Sequence, residues 1–127
     1  MERYRLGEME QRFADLIWQK EPVSTAELIR LGEAHFNWKR TTTYTMLKRL
    51  CLRGIFVNDG GIVRAVLTRE EFQAARGEQF LEENFGGSLP RFLAAFTRGR
   101  GLRPEEAEEL KRLIEEYESA NKKSSRN

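Results

Sequence analysis

Residues 55 to 67 read IFVNDGGIVRAVL, a segment rich in β-branched residues that alternate around Asp59, Gly60 and Gly61. A short run of Asp and Gly between two such stretches is a strong signal of a β-hairpin, because glycine tolerates the positive φ of a tight turn. Three segments with helical spacing precede it. The order of three helices and a hairpin within about sixty residues constrains the fold most, since it is the layout of a winged helix-turn-helix.

The three helices are recognised by apolar spacing and by their end signals. The first is predicted over residues 7–20 and ends before Pro22. Ser24 lies three residues before Glu27, a capping-box pattern that starts a second helix through about Glu33. The third runs from about Lys39 to Arg53 and ends at Gly54, since glycine best tolerates the left-handed position after a helix.

The second half of the chain is predicted to be helical. Thr68 and Glu71 cap a fourth helix that ends at Gly86, Ser88 caps a fifth, and Pro104 suits the first turn of a sixth. We therefore predict a mainly α chain with a small β-hairpin (α+β). Residues 1–67 form a winged helix-turn-helix DNA-binding domain, residues 68–118 a helical dimerisation region, and residues 119–127 a disordered polar tail.

Charge is unevenly distributed along the chain, although 22 Lys and Arg nearly balance 20 Asp and Glu. Residues 37–54 hold five basic residues and no acidic one, whereas residues 103–118 hold seven glutamates against three basic residues. On the third helix, Thr43, Leu47, Leu50 and Cys51 fall on an apolar side. The opposite side carries threonines and then long cations, side chains that contact base edges and phosphates in the major groove.

This pattern gives a set of DNA-binding candidates on the third helix and the hairpin. They are Lys39, Arg40, Thr41, Thr42, Tyr44, Thr45, Lys48, Arg49 and Arg64. An ordinary solvated basic face is the alternative for the helix, and an ordinary strand surface position is the alternative for Arg64. Trp38 and Cys51 are interpreted as core residues.

Apolar stripes on the last two helices are too extensive to stay exposed in a monomer, and they predict a homodimer. The candidate interface residues are Leu89, Phe92, Leu93, Phe96, Leu110, Leu113, Ile114 and Tyr117. A dimer with two-fold symmetry suits a palindromic DNA site.

Other functional classes are disfavoured by the residues present. His35 is the single histidine and Cys51 the single cysteine, and no Ser/His/Asp or Cys/His arrangement is available for catalysis. One histidine and one cysteine cannot build an all-protein zinc site, and no cofactor is expected. No segment is apolar enough to span a membrane, and the N-terminus lacks a signal-peptide pattern. These features predict a cytoplasmic protein that is not an enzyme.

The segments LGEMEQRFADLIWQKEPVSTAELI, NWKRTTTYTMLKRLCLRG and SLPRFLAAF resemble the penicillinase repressor (BlaI/MecI/CopY) family of bacterial regulators over roughly Leu6 to Tyr117. The most specific pieces are Trp18 and the pattern T-x-Y-T-x-L-x-R-L-x-x-x-G from Thr42 to Gly54. The resemblance implies a dimeric winged-helix repressor of palindromic promoter operators, in one branch those of β-lactam resistance genes. Base contacts would fall on Thr41, Thr42, Tyr44 and Thr45, and a backbone contact on Arg49.

In this family a membrane sensor protease acts indirectly to cause cleavage of the repressor. The cleaved pair, Asn-Phe in the staphylococcal proteins, aligns with Ala95 and Phe96 here, which makes them the candidate inactivation site. The copper-responsive branch carries a Cys-rich motif near its C-terminus, which residues after Cys51 do not contain. Arg103 stands where a Ser-like cap usually opens the last helix. Two alternatives remain: a winged-helix regulator of a different regulon, and a winged-helix protein-interaction module without DNA binding.

Overall fold

The computed structural model describes the backbone of residues 4–125 and the side chains of residues 4–122. The helices over this range are α1 (Glu8–Lys20), α2 (Thr25–Phe36), α3 (Arg40–Leu52), α4 (Arg69–Phe85), α5 (Leu89–Gly99) and α6 (Pro104–Ser125). The strands are β1 (Val23–Ser24), β2 (Phe56–Asp59) and β3 (Ile62–Ala65). The predicted fold class, mainly α with a small sheet in winged-helix order, is confirmed.

The sheet is antiparallel in the order β1-β3-β2. Its hairpin pairs Phe56 with Ala65 and Asp59 with Ile62. Gly60 and Gly61 form the two-residue turn, with φ of 58° and 94°. Residues that carry a Cβ rarely adopt such positive φ values. The additional strand β1, which pairs Val23 with Val63, is absent from the prediction because two residues are too short to show alternation.

The chain divides into two compact units, and the first ends at Gly87. The core of the first unit joins the helices to the sheet. Its buried apolar residues are Phe13, Ala14, Leu16, Ile17, Val23, Leu28, Leu31, Leu47, Leu50, Ile55, Phe56, Val63 and Phe72. Trp18 packs at the edge of this core, and its indole Nε1 donates a hydrogen bond of 2.9 Å to the carbonyl oxygen of Leu67.

A close helix crossing sets the position of α3 against α2. A Cβ added at Gly32 on α2 would lie 2.5 Å from Oγ1 of Thr43 on α3, so the two backbones approach as only glycine allows. Between them Asn37 ends α2 in the left-handed conformation, with φ of 56°. After glycine, Asn is the residue that most readily takes this left-handed position at a helix end. Because the end signal is Asn37, α2 continues to Phe36, one turn beyond the predicted end at Glu33.

The unit boundary differs from the predicted one. The sequence placed it between residues 67 and 68, whereas α4 belongs to the first unit. The physical reason is Phe72, which is 1% exposed and whose ring lies 5.4 Å from that of Trp18 and 5.9 Å from that of Tyr4. The capping box of Thr68 and Glu71 that starts α4 is present as the sequence indicated.

The second unit begins at Ser88 and contains α5 and α6. The side chain of Ser88 accepts a hydrogen bond from the N–H of Arg91, which is the predicted cap of α5. Helix α6 continues to Ser125, so the structure differs from the predicted disordered tail over residues 119–125. The rest of that predicted tail, Arg126 and Asn127, lies outside the described residues.

The described residues contain neither a candidate membrane span nor a candidate metal cluster. None of these helices is both long enough and apolar enough to cross a membrane. Within the same part of the chain, no three His, Cys, Asp or Glu side chains are grouped so that they could hold a metal ion.

Candidate nucleic-acid interface

Helix α3 is held onto the first unit by one side and is exposed on the other. Thr43, Leu47 and Leu50 are buried, and Cys51 is half-buried. Burial raises the pKa of the Cys51 thiol. All nine DNA-binding candidates are exposed: Lys39, Arg40, Thr41, Thr42, Tyr44, Thr45, Lys48 and Arg49 at or on α3, and Arg64 on β3. The helical spacing thus assigned the two sides of α3 as the structure has them.

The exposed side of α3 carries basic side chains that the fold does not neutralise. Lys39, Arg40, Lys48 and Arg49 form no ion pair with a carboxylate among the described residues. The first turn of α3 contains no acidic residue, and its N-cap residue Lys39 makes no side-chain capping bond. The positive end of the helix dipole therefore adds to the charge of the side chains there.

Arg53, the fifth basic residue of this segment, has a different role. Its guanidinium lies 3.5 Å from a carboxylate oxygen of Glu10 on α1 and donates a hydrogen bond to the carbonyl oxygen of Arg5. Only 26% of its side chain is exposed. Arg53 therefore ties the end of α3 to the N-terminal segment, so the charge offered to a ligand is smaller than the sequence count of five.

Local contacts fix several of the exposed side chains of α3. The hydroxyl of Thr45 donates to the carbonyl oxygen of Thr41 over 2.9 Å. The guanidinium of Arg40 lies over the ring of Tyr44, 5.7 Å from its centroid, in the range of a cation–π contact. These contacts reduce the number of rotamers that binding must freeze.

A depression of about 290 Å³ lies on this exposed side of α3. Its walls are Thr41, Thr42, Thr45, Met46 and Arg49. Four of these residues are among the predicted candidates, and Met46 is not. Met46 is half-buried because it lies on the helix between the exposed and the buried sides, and the helical spacing could have identified it as a border residue.

The hairpin offers a less basic surface than α3. Arg64 is exposed opposite Val57, and Asp59 at the turn is exposed opposite Ile62. The N–H of Thr25, the first residue of α2, donates to the carbonyl oxygen of Gly61 over 2.9 Å, which fixes the turn against that helix. Arg64 is thus presented on an anchored hairpin, with one acid near it in sequence.

Trp38, just ahead of α3, is a core residue as interpreted from the sequence. Its ring lies 4.6 Å from that of Phe36 and 5.2 Å from that of Phe13, and it is half-buried. These aromatic contacts position the start of α3, so Trp38 supports the exposed side of the helix without forming part of it.

The second unit exposes most of its apolar surface. Helix α5 buries none of its residues, and Leu89, Leu113, Ile114 and Tyr117 are 53%, 56%, 55% and 69% exposed. The other candidate interface residues, Phe92, Leu93, Phe96 and Leu110, are half-buried and line a groove of about 390 Å³. Leu113 lines the same groove, so the structure brings five of the eight candidates together there.

Helix α6 opens with a cap that the sequence reading missed. Glu106, three residues after Arg103, accepts hydrogen bonds from the backbone N–H of Arg103 over 3.1 Å and from the Arg100 guanidinium over 2.8 Å. These bonds lower the pKa of Glu106 to about 2, the backbone bond being the largest cause. A glutamate at the third helical position replaces the Ser-like cap. This glutamate is the second half of a capping-box pattern, and that spacing after Arg103 would have revealed it.

The chain is similar to a known protein family. Residues 6–116 match the family model described as penicillinase repressor. A search of the curated proteins found no match. The matched range includes α1 to α5, the three strands and more than half of α6.

Proposed function

Since this chain belongs to the penicillinase repressor family, a family of DNA-binding transcriptional repressors, we propose that it is a dimeric, sequence-specific repressor of palindromic promoter operators. Its targets are proposed to be genes of the β-lactam resistance type. The observation that carries this proposal is the exposed side of α3, which presents threonines together with unneutralised cations. The other side of the helix is buried and anchors it to the first unit.

The chemistry of this side of α3 matches a major groove. The N-terminal half offers Thr41, Thr42 and Thr45, which are short enough to let a helix backbone approach base edges. Lys48 and Arg49 follow one turn later and are long enough to reach phosphates. Lys39, Arg40 and the positive end of α3 support binding of the flanking backbone phosphates. Tyr44 and Arg64 are proposed as further DNA contacts.

The groove and the exposed stripe of the second unit support a homodimer. An apolar surface of this extent is unusual on a monomer, and two copies related by two-fold symmetry would cover each other's stripes. Such a dimer presents two α3 helices to the two halves of a palindrome, so each half-site adds to the affinity of the other.

Substitutions on α3 should separate phosphate contacts from base contacts. Arg49→Ala is expected to weaken binding to operator and unrelated duplexes by the same factor and to reduce the salt dependence by about one counterion. Thr42→Ala is expected instead to relax the preference at one base pair by about 1 kcal/mol, roughly fivefold. Fluorescence anisotropy with both duplexes at several salt concentrations measures the two effects.

The matched control is Arg76→Ala, which removes the same charge from the exposed surface of α4. It should change neither the affinity nor the salt slope by as much as Arg49→Ala does. Equal losses on operator and unrelated DNA for Thr42→Ala would show that Thr42 does not read a base.

We further propose that repression ends by cleavage between Leu93 and Arg103, at or near the bond joining Ala95 to Phe96. Ala95 is exposed, Phe96 lines the groove, and α5 ends at Gly99, close to Gly101 with its φ of 81°. A cut here separates α6 from the DNA-binding unit and removes the gain from two linked half-sites. A membrane sensor protease is the proposed indirect trigger.

Mass spectrometry of the repressor from cells exposed to a β-lactam is expected to show a fragment that ends between Leu93 and Arg103. Induced cells that contain the intact chain alone would contradict cleavage and would favour release by ligand binding or competition.

A further inference from the structure

The depression on α3 has a geometric origin in the helix itself. Its walls belong to two rows of side chains spaced by four residues: Thr41, Thr45 and Arg49 form one row, and Thr42 and Met46 the other. Rows with this spacing are the ridges of a helix surface, and the space between two ridges is a groove. The depression therefore runs along the side of α3 that the proposed function directs into DNA.

The chemistry of these walls is more apolar than a row of threonines implies. The hydroxyl proton of Thr45 is used within the helix, in its bond to the carbonyl oxygen of Thr41, so Thr45 retains a methyl group and acceptor capacity. Met46 has no donor, and its sulfur, a weak acceptor, lies 3.9 Å from Nη1 of Arg49. The threonine methyl groups and the Met46 thioether are therefore the apolar part of the walls.

Met46 is also held in place. It is half-buried and packs against the core cluster of the first unit, while Arg49 contacts its sulfur from one turn further along α3. A side chain fixed from both sides presents a defined apolar surface to a ligand. A freely rotating methionine would not discriminate well between shapes.

All four bases present nitrogen or oxygen atoms in the major groove, and thymine alone also presents an apolar group there, its 5-methyl. We propose that the depression on α3 receives the 5-methyl group of a thymine in each half-site, and that Met46 is the specificity-determining residue that contacts it. This inference rests on the proposed function, in which α3 enters the major groove.

The test uses the full-length chain and an operator selected by it from a random pool of duplexes. Each thymidine of one half-site is replaced in turn by deoxyuridine, together with its symmetry mate in the other half. Each pair of replacements removes one methyl group per half-site and leaves base pairing intact. At one thymine position the affinity is expected to fall about fourfold per half-site, the factor that corresponds to burial of one methyl group.

Variants of Met46 assign the effect to this residue. Met46→Ala is expected to bring the ratio of thymine to uracil affinity at that position close to one, whereas Met46→Leu, which keeps the apolar volume, should retain it. Arg64→Ala is the matched control, because it changes a proposed contact on the hairpin and should leave the ratio unchanged. Thermal unfolding of each variant verifies that the fold is intact.

Three outcomes would overturn the inference. If the wild-type chain tolerates uracil at all thymine positions, no thymine methyl is read. Sequence-specific binding, and with it the proposed function, would then still stand. A uracil penalty that persists in Met46→Ala would assign the methyl to another residue. Failure to select any sequence would overturn the proposed function together with this inference.

Discussion

Replacing Ile114 by glutamate is expected to convert the proposed dimer into a monomer and to lower the affinity for a two-half-site operator by about 100-fold or more. Ile114 is 55% exposed on α6, so a glutamate costs the isolated chain little. In a two-fold interface the same change occurs twice and buries two carboxylates without partners, which costs far more than the apolar contact was worth.

The matched control is Ser119→Glu, an exposed position on the opposite side of the same helix. Sedimentation velocity over a range of concentrations should find this control dimeric and Ile114→Glu monomeric. A chain ending at Gly87 should also be monomeric, because it keeps every buried core residue and loses α5 and α6. A dimer of undiminished stability in both altered chains would place the interface elsewhere.

Replacing Trp18 by alanine is expected to reduce the free energy of unfolding by about 3–5 kcal/mol. The indole ring lies 5.2 Å from the ring of Phe56 and 5.4 Å from that of Phe72, and its N–H bonds the carbonyl oxygen of Leu67. The substitution thus leaves a cavity where α1, the hairpin and α4 meet. Urea unfolding at matched protein concentration measures the change, since dimerisation would link stability to concentration.

Two further variants separate the parts of this effect. Trp18→Phe keeps an aromatic ring but leaves the Leu67 carbonyl without its donor, and a loss of about 1–3 kcal/mol is expected. Arg69→Ala removes the guanidinium that lies over the exposed side of the indole, 5.8 Å from its centroid, and should cost about 1 kcal/mol or less. A loss below about 1 kcal/mol for Trp18→Ala would contradict the role of Trp18 as an anchor.

The parts of the fold that were predictable depend on local patterns. The turn at Gly60 and Gly61 requires positive φ, and the caps at Ser24, Thr68 and Ser88 are formed by bonds within three residues, so each leaves a mark in the sequence. Strand β1 leaves no such mark in the sequence, because Ser24 serves both as a strand residue and as the cap of α2.

The parts that were missed depend on contacts between distant segments. Phe72 draws α4 into the first unit by packing on Trp18, a contact across more than fifty residues that no local pattern reveals. Arg53 is removed from the basic surface by Glu10 in the same way. The exposed side of α3 was predictable from helical spacing alone, whereas the wall that Met46 contributes required the structure.

The central claim is that the exposed side of α3 binds duplex DNA in a sequence-specific manner. The most direct measurement is an anisotropy titration of the full-length chain with a selected duplex and with its shuffled counterpart, at salt concentrations from about 50 to 200 mM. We predict affinity for the selected duplex at least about 1,000-fold higher, and a steep loss of affinity for both duplexes as salt rises. Equal affinity for the two duplexes, or no binding to either, would contradict the claim.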